Sequence, residues 1–159
     1  MKALKLGLLF ISIGVLLTFS NCGGGGSTPE PLADQQFTKL SKTWNIATVT
    51  LEGQDQKTLL YPNFKLQITG TKGAASFGYK TTGNPAAGSP WKGTSTWAFG
   101  TDPLTMLVRE PDTDKLAMTY AVSASTLQIS FNYTGTVNQN QGRTEVVTGN
   151  WIFTFTPAP

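Results

Sequence analysis

The feature that most constrains this chain is an apolar and polar alternation of period two, repeated eight times between Trp44 and Thr156. Phe64, Leu66 and Ile68 alternate with Lys65, Gln67 and Thr69, and Leu127, Ile129, Phe131 and Tyr133 alternate with Gln128, Ser130 and Asn132. Successive side chains of a strand point to opposite faces, so each such stretch buries one face and wets the other. The same reading predicts strands over 44–51, 75–81, 93–99, 104–109, 115–122 and 147–156. Turn formers separate them: Gly53-Gln54-Asp55, Gly70-Thr71-Lys72-Gly73, Gly83-Asn84-Pro85 and Pro111-Asp112-Thr113-Asp114. The pattern is an antiparallel meander.

Eight consecutive strands joined by short hairpins leave two exposed edges, and closing the sheet removes both. The expected fold is therefore all-β, an eight-stranded antiparallel up-and-down barrel, with a two-sheet β-sandwich as the alternative. Closure would set Trp44 and Ile46 beside Trp151, Phe153 and Phe155. A short helix is expected over 32–43, where Phe37 and Leu40 share a face and Asp34 would cap the start.

Composition excludes several functions. There is no histidine among the 159 residues, which removes the commonest general base, the commonest metal ligand and every Ser-His or Cys-His pair. A single cysteine, Cys22, allows no internal disulfide. Of the 12 basic residues Lys2 and Lys5 lie at the extreme N-terminus, which leaves ten against nine acidic ones and argues against nucleic acid as a partner.

The N-terminal segment has its own logic. Lys2 and Lys5 precede an apolar run from Leu6 to Phe19, shorter than the about 20 residues a spanning helix needs and matching a secretory signal. The run ends at Phe19-Ser20-Asn21-Cys22, which resembles the lipobox of bacterial lipoproteins, with Phe19 in place of the usual leucine and Asn21 in place of a smaller residue. The resemblance implies a lipoprotein signal peptide over 1–21, cleavage before Cys22, a diacylglyceryl group on its thiol and an acyl chain such as palmitate on the new amine. The partner is then a membrane. Each buried methylene contributes about 0.8 kcal/mol, so several chains anchor firmly where one is marginal. Gly23 to Pro31 has no periodicity and reads as part of a flexible tether over 22–34, spanning roughly 20 Å for about twelve residues. The tether has no acidic run beside Cys22, which in this resemblance favours the periplasmic face of the outer membrane over the cell surface.

Residues 35–159 resemble the lipocalin-like lipoproteins of Gram-negative bacteria. The resemblance rests on Lys42-Thr43-Trp44 where lipocalins have Gly-x-Trp, on Tyr61-Pro62-Asn63-Phe64, on Gly93-Thr94-Ser95-Thr96-Trp97-Ala98-Phe99, and on the closing Gly149-Asn150-Trp151-Ile152-Phe153-Thr154-Phe155. It implies a Trp44 lying across the closed end of the barrel under an arginine, for which Arg143 is the positional candidate, and a small apolar or amphipathic ligand inside. The candidate ligand-binding residues are Trp44, Phe64, Phe77, Tyr79, Trp97, Tyr120, Phe131 and Phe153, with Tyr79 and Tyr120 as polar handles. The same aromatics could instead fill an eight-stranded barrel, whose interior is just wide enough for side chains or for one small ligand.

Other candidates are weaker. Asp112 and Asp114 lack the further ligands of a calcium loop, and nothing places Glu110 and Glu145 on facing elements as a glycosidase pair. The 135–144 loop, with Arg143, is long enough to bind something. No metal, cofactor or enzymatic activity is expected. Two functions stand open: a membrane-anchored, non-catalytic protein that holds a small ligand, or an interaction module of the cell envelope with a solid barrel. A cavity of roughly 300 Å³ or more would favour the first.

Overall fold

The computed structural model describes residues 28–85, 89–138 and 144–159, so the expected signal peptide over 1–21, Cys22 and Arg143 lie outside the described residues. Helix α1 (Leu32–Leu40) leads into β1 (Thr43–Leu51), β2 (Gln54–Asp55) and a single helical turn, α2 (Lys57–Leu60). Strands β3 (Lys65–Thr69), β4 (Phe77–Thr82), β5 (Thr94–Phe99), β6 (Met106–Arg109), β7 (Leu116–Val122) and β8 (Leu127–Tyr133) follow. A small hairpin of β9 (Thr136–Asn138) and β10 (Thr144–Val146) precedes the last strand, β11 (Gly149–Pro157).

The protein is a closed antiparallel barrel of eight strands, β1, β3, β4, β5, β6, β7, β8 and β11, each paired with its neighbour. The seam that excludes a sandwich is the pairing of β1 with β11, from Leu51↔Trp151 to Trp44↔Pro157. Every stretch that alternates in sequence is a barrel strand, and burial alternates with it: Leu66 and Ile68 lie inside while Lys65, Gln67 and Thr69 are exposed. A bulge at Ile46 to Thr48 shifts the register of the seam by one residue, so that Ile46 faces Phe155 and Val49 faces Phe153. The extra residue bends β1 around the closing sheet.

Helix α1 lies across one end. Its start differs from the expectation: Pro31 holds the cap position without a side-chain hydrogen bond, and Asp34 sits in the first turn. The Asp34 carboxylate instead accepts the Gly73 N–H at 2.7 Å, tying the helix to the β3–β4 turn. The helix therefore begins at Leu32, within the 22–34 span. It ends at Leu40 because the next residues carry β1 away, and the Leu40 carbonyl accepts the Trp44 indole N–H at 2.9 Å. Phe37 reaches into the barrel and stacks on Phe77 with ring centroids 4.3 Å apart.

The opposite end carries the β1–β3 connection with α2 and the described residues 83–85 and 89–93 between β4 and β5. One glycine is indispensable there. Gly83 has φ +71°, and a Cβ on it would lie 2.4 Å from the Asn63 carbonyl oxygen, so the β4–β5 segment leaves the barrel pressed against the Tyr61-Pro62-Asn63-Phe64 turn.

Candidate functional site

Barrel strands deliver seven of the eight candidate aromatics to one interior, and Phe64 joins them from the position directly before β3. Trp44, Phe64, Phe77, Tyr79, Trp97, Tyr120, Phe131 and Phe153 are each at most 5% exposed. Near α1, Phe37, Phe77, Trp97 and Phe99 form a continuous aromatic contact, with 4.6 Å between the Phe77 and Trp97 centroids and 5.1 Å between Trp97 and Phe99. Toward the other end Tyr61, Phe64, Phe131, Trp151, Phe153 and Phe155 do the same, with Phe153 at 5.3 Å from Tyr61 and 5.6 Å from Trp151. Offset and edge-on pairs of this kind contribute about 0.5–1.5 kcal/mol each beyond area burial.

Between the two clusters sits Trp91, which belongs to no strand. It descends from the 83–93 segment and meets Tyr79, Phe131 and Phe153 edge-on at 5.4, 5.7 and 5.6 Å. Its segment is tied down from several sides. The Trp91 backbone N–H donates to Ser89 Oγ at 3.1 Å, and the same oxygen accepts the Tyr61 hydroxyl at 3.3 Å and donates to Asn84 Oδ1 at 3.1 Å. Thr81 Oγ1 accepts from Asn84 Nδ2 at 2.6 Å and donates to the Lys92 carbonyl at 2.9 Å.

Among the described residues the barrel interior holds a void of about 10 Å³ lined by Leu66, Ile68, Tyr79, Trp91, Trp97, Leu107, Met118 and Ile129. That is at the lower limit for one water and far below the roughly 300 Å³ at which drug-sized pockets begin. The two polar handles differ. The Tyr120 hydroxyl donates to the Pro103 carbonyl. The Tyr79 hydroxyl and the indole N–H groups of Trp91 and Trp97 have no partner among the described residues. Burial pushes the Tyr79 and Tyr120 phenols above their ordinary pKa, with the Arg109 charge pulling Tyr79 partly back and the Asp102 charge adding to the rise at Tyr120.

Trp44 is fully buried, and the cation over its ring is the Lys42 ammonium, 5.0 Å from the centroid. The alternation in β6 does put one arginine inside. Arg109 is 1% exposed, donates through Nη1 to the Pro90 carbonyl at 2.5 Å, and pairs through Nη2 with Asp114 at 2.6 Å. Its guanidinium also lies 5.9 Å from the Tyr133 ring centroid. Asp114 therefore has a structural partner, in a turn that begins at Pro111.

The neighbouring carboxylate, Glu110, lies at φ +46°. It accepts Lys92 Nζ and Ser95 Oγ, both at 2.5 Å, and Thr113 Oγ1 at 3.2 Å. The Lys92 and Ser95 hydrogen bonds hold it down to about pKa 2. A carboxylate so weakly basic is a poor acceptor for catalytic proton abstraction and a good clamp for a turn. The side chain of Glu145 lies outside the described residues. No group of three metal-ligating side chains is found among those described.

Trp91 and Arg109 were not readable as interior residues. Trp91 stands in Ser89-Pro90-Trp91-Lys92-Gly93, where nothing alternates, and its only signal is a large aromatic amid turn formers. Arg109 faces inward with Leu107 in β6, whereas the apolar alternation of that stretch in sequence runs through Leu104, Met106 and Val108 and sets Arg109 on the other face. No known family model matches the chain, and no curated protein matches it significantly.

Proposed function

We propose that the protein is a lipid-anchored, non-catalytic module of the bacterial cell envelope, whose barrel is a solid core and whose outer surface and loops meet its partners. The observation that supports this reading is the packed interior, in which the candidate ligand-binding aromatics and Trp91 surround, among the described residues, a void of about 10 Å³. An apolar ligand the size of a fatty acid has no room beside them. The anchor rests on the resemblance of Phe19-Ser20-Asn21-Cys22 to a lipobox and on the glycine-rich tether behind it. Both support a site for the module at the outer membrane, with the periplasmic face preferred.

Native mass spectrometry of the full-length protein extracted in mild detergent tests the solid core. The expected result is the mass of the acylated chain alone, unchanged by fatty acids and by a hydrophobic dye. A stoichiometric copurifying molecule, or dye binding that quenches the buried tryptophans, would overturn it. The anchor has a separate test: Cys22→Ala should move the protein from the membrane to the soluble fraction, and continued membrane association refutes the lipid.

A further inference from the structure

The eight barrel strands carry three charged residues, and all three are basic. Arg109 points inward and is paired, whereas Lys65 on β3 and Lys80 on β4 stand exposed on the outer wall. In the β3–β4 register Lys65 faces Thr82 and Gln67 faces Lys80, so the two lysines are diagonal neighbours on one face, with Cβ atoms about 7 Å apart. Neither has a carboxylate within 4.0 Å among the described residues, where the ion pairs are Lys72–Glu30, Lys92–Glu110 and Arg109–Asp114. Two ammonium groups this close repel one another, and no acidic side chain of the wall offsets the repulsion.

The lysines border a shallow depression of about 160 Å³, whose other lining residues are Thr43, Gln67 and Thr82. Thr43 faces Gln67 across the β1–β3 ladder, so hydroxyl and amide donors flank both cations. The course of the chain adds a second, independent observation. The Glu30 carboxylate accepts Lys72 Nζ in the turn of this same hairpin, and Asp34 accepts the Gly73 N–H at 2.7 Å. The chain thus reaches the domain at the β3–β4 turn, beside the wall that carries Lys65 and Lys80. Eight residues lead from Cys22 to Glu30, a span of at most about 28 Å.

We propose that this face of the β3–β4 hairpin lies on the anionic phosphate headgroups of the membrane that holds Cys22; the inference rests on the lipid anchor proposed above and names the lipid chemistry beside it. Each ammonium presents three donors, and lysine binds phosphate as a point charge. No other outward strand position of the barrel offers a cation, so charge complementarity selects one side of the wall and sets the orientation of the domain. A lysine at an anionic surface gains a factor of roughly five, and a pair roughly thirty. Such weak contacts suffice here because the short tether already holds the domain at high effective concentration over the surface. A soluble phosphate compound has no such help, which favours the lipid as the source.

The test adds the full-length protein to preformed vesicles of phosphatidylglycerol or of phosphatidylcholine and labels it with an amine reagent that does not cross the bilayer. Mass spectrometry should show Lys65 and Lys80 labelled roughly fivefold more slowly on phosphatidylglycerol than on phosphatidylcholine. The exposed Lys115, in the β6–β7 turn, should react alike on both. The difference should vanish in 1 M salt, where the screening length is about 3 Å. Amide exchange over 65–82 should slow on phosphatidylglycerol for the parent protein and not for the Lys65→Gln, Lys80→Gln double variant, altered only at exposed positions. Sedimentation reads the anchor separately. Protein that sediments with neither vesicle overturns anchor and face together, whereas protein that sediments with both and labels alike on both overturns the face alone. Equal slowing at Lys115, slowing of exchange indifferent to the double variant, or equal protection by inorganic phosphate at the same phosphate concentration without vesicles also overturns the lipid-facing site.

Discussion

The Arg109 guanidinium and the Pro90 carbonyl meet at 2.5 Å, which fixes the backbone directly before Trp91 and so holds the indole in the barrel. Asp114 is the counter-charge, but its side chain is 37% exposed, so the pair is not a fully buried one. Arg109→Met removes the donor and leaves the buried carbonyl unpaired. It should lower stability by about 1–3 kcal/mol. Urea denaturation checks this, and an unchanged midpoint would show that the contact holds nothing.

Trp91→Ala deletes an interior side chain supplied by the connection between β4 and β5. The strands around it are paired on both sides and collapse little, so a cavity should persist at a cost of about 3–5 kcal/mol. Calorimetry measures the cost. Added indole should raise the melting temperature of this variant and leave the parent protein unchanged, since only the variant has space for it.

Gly83→Ala combines a left-handed backbone with a Cβ 2.4 Å from the Asn63 oxygen. Both the strain and the clash act on the folded state, so the loss should exceed about 1 kcal/mol, the ordinary benefit of removing a glycine. Gly53→Ala provides the comparison. It shares a positive φ, yet nothing lies within 4 Å of its added methyl, so the smaller drop in melting temperature belongs to Gly53.

Stability should fall at the acidic end through Glu110. Its folded pKa, about 2, lies below the ordinary value of 4.5, so its contribution is full above pH 4.5 and is lost as pH drops toward 2. At the alkaline end the sign reverses for Tyr61, whose phenol is pushed up by burial against a small opposing effect of Ser89. That contribution is full below pH 10 and disappears as pH rises beyond it. Denaturation midpoints of Glu110→Gln should flatten the acid limb and leave the alkaline limb intact.

The strands were readable because antiparallel hairpins with one wet face write their burial directly into alternate positions, as in Leu127 to Tyr133. Closure followed from the two edges that a meander of eight strands leaves open, and it brought Trp44 and Ile46 at one end of the chain to Trp151, Phe153 and Phe155 at the other. What alternation cannot encode is a side chain that enters the core from a loop. Trp91 was missed for that reason, although it decides whether the barrel is full. Asp34 was misplaced because a carboxylate near a helix start serves equally as a cap or as an acceptor for a distant N–H, and only the fold brings Gly73 to it.

The β1–β11 seam also sets a schedule. The first strand of the barrel finds its outer partner only in the last, and the Ala158 N–H bonds to the Thr43 carbonyl, so neither edge is satisfied until nearly the whole chain has been delivered. Until then β1 presents a naked row of donors and acceptors, open to pairing with another unfinished copy. A chain made from its N-terminus onward cannot shut this sheet before the final strand comes through. Loss of that one strand leaves two raw edges at once.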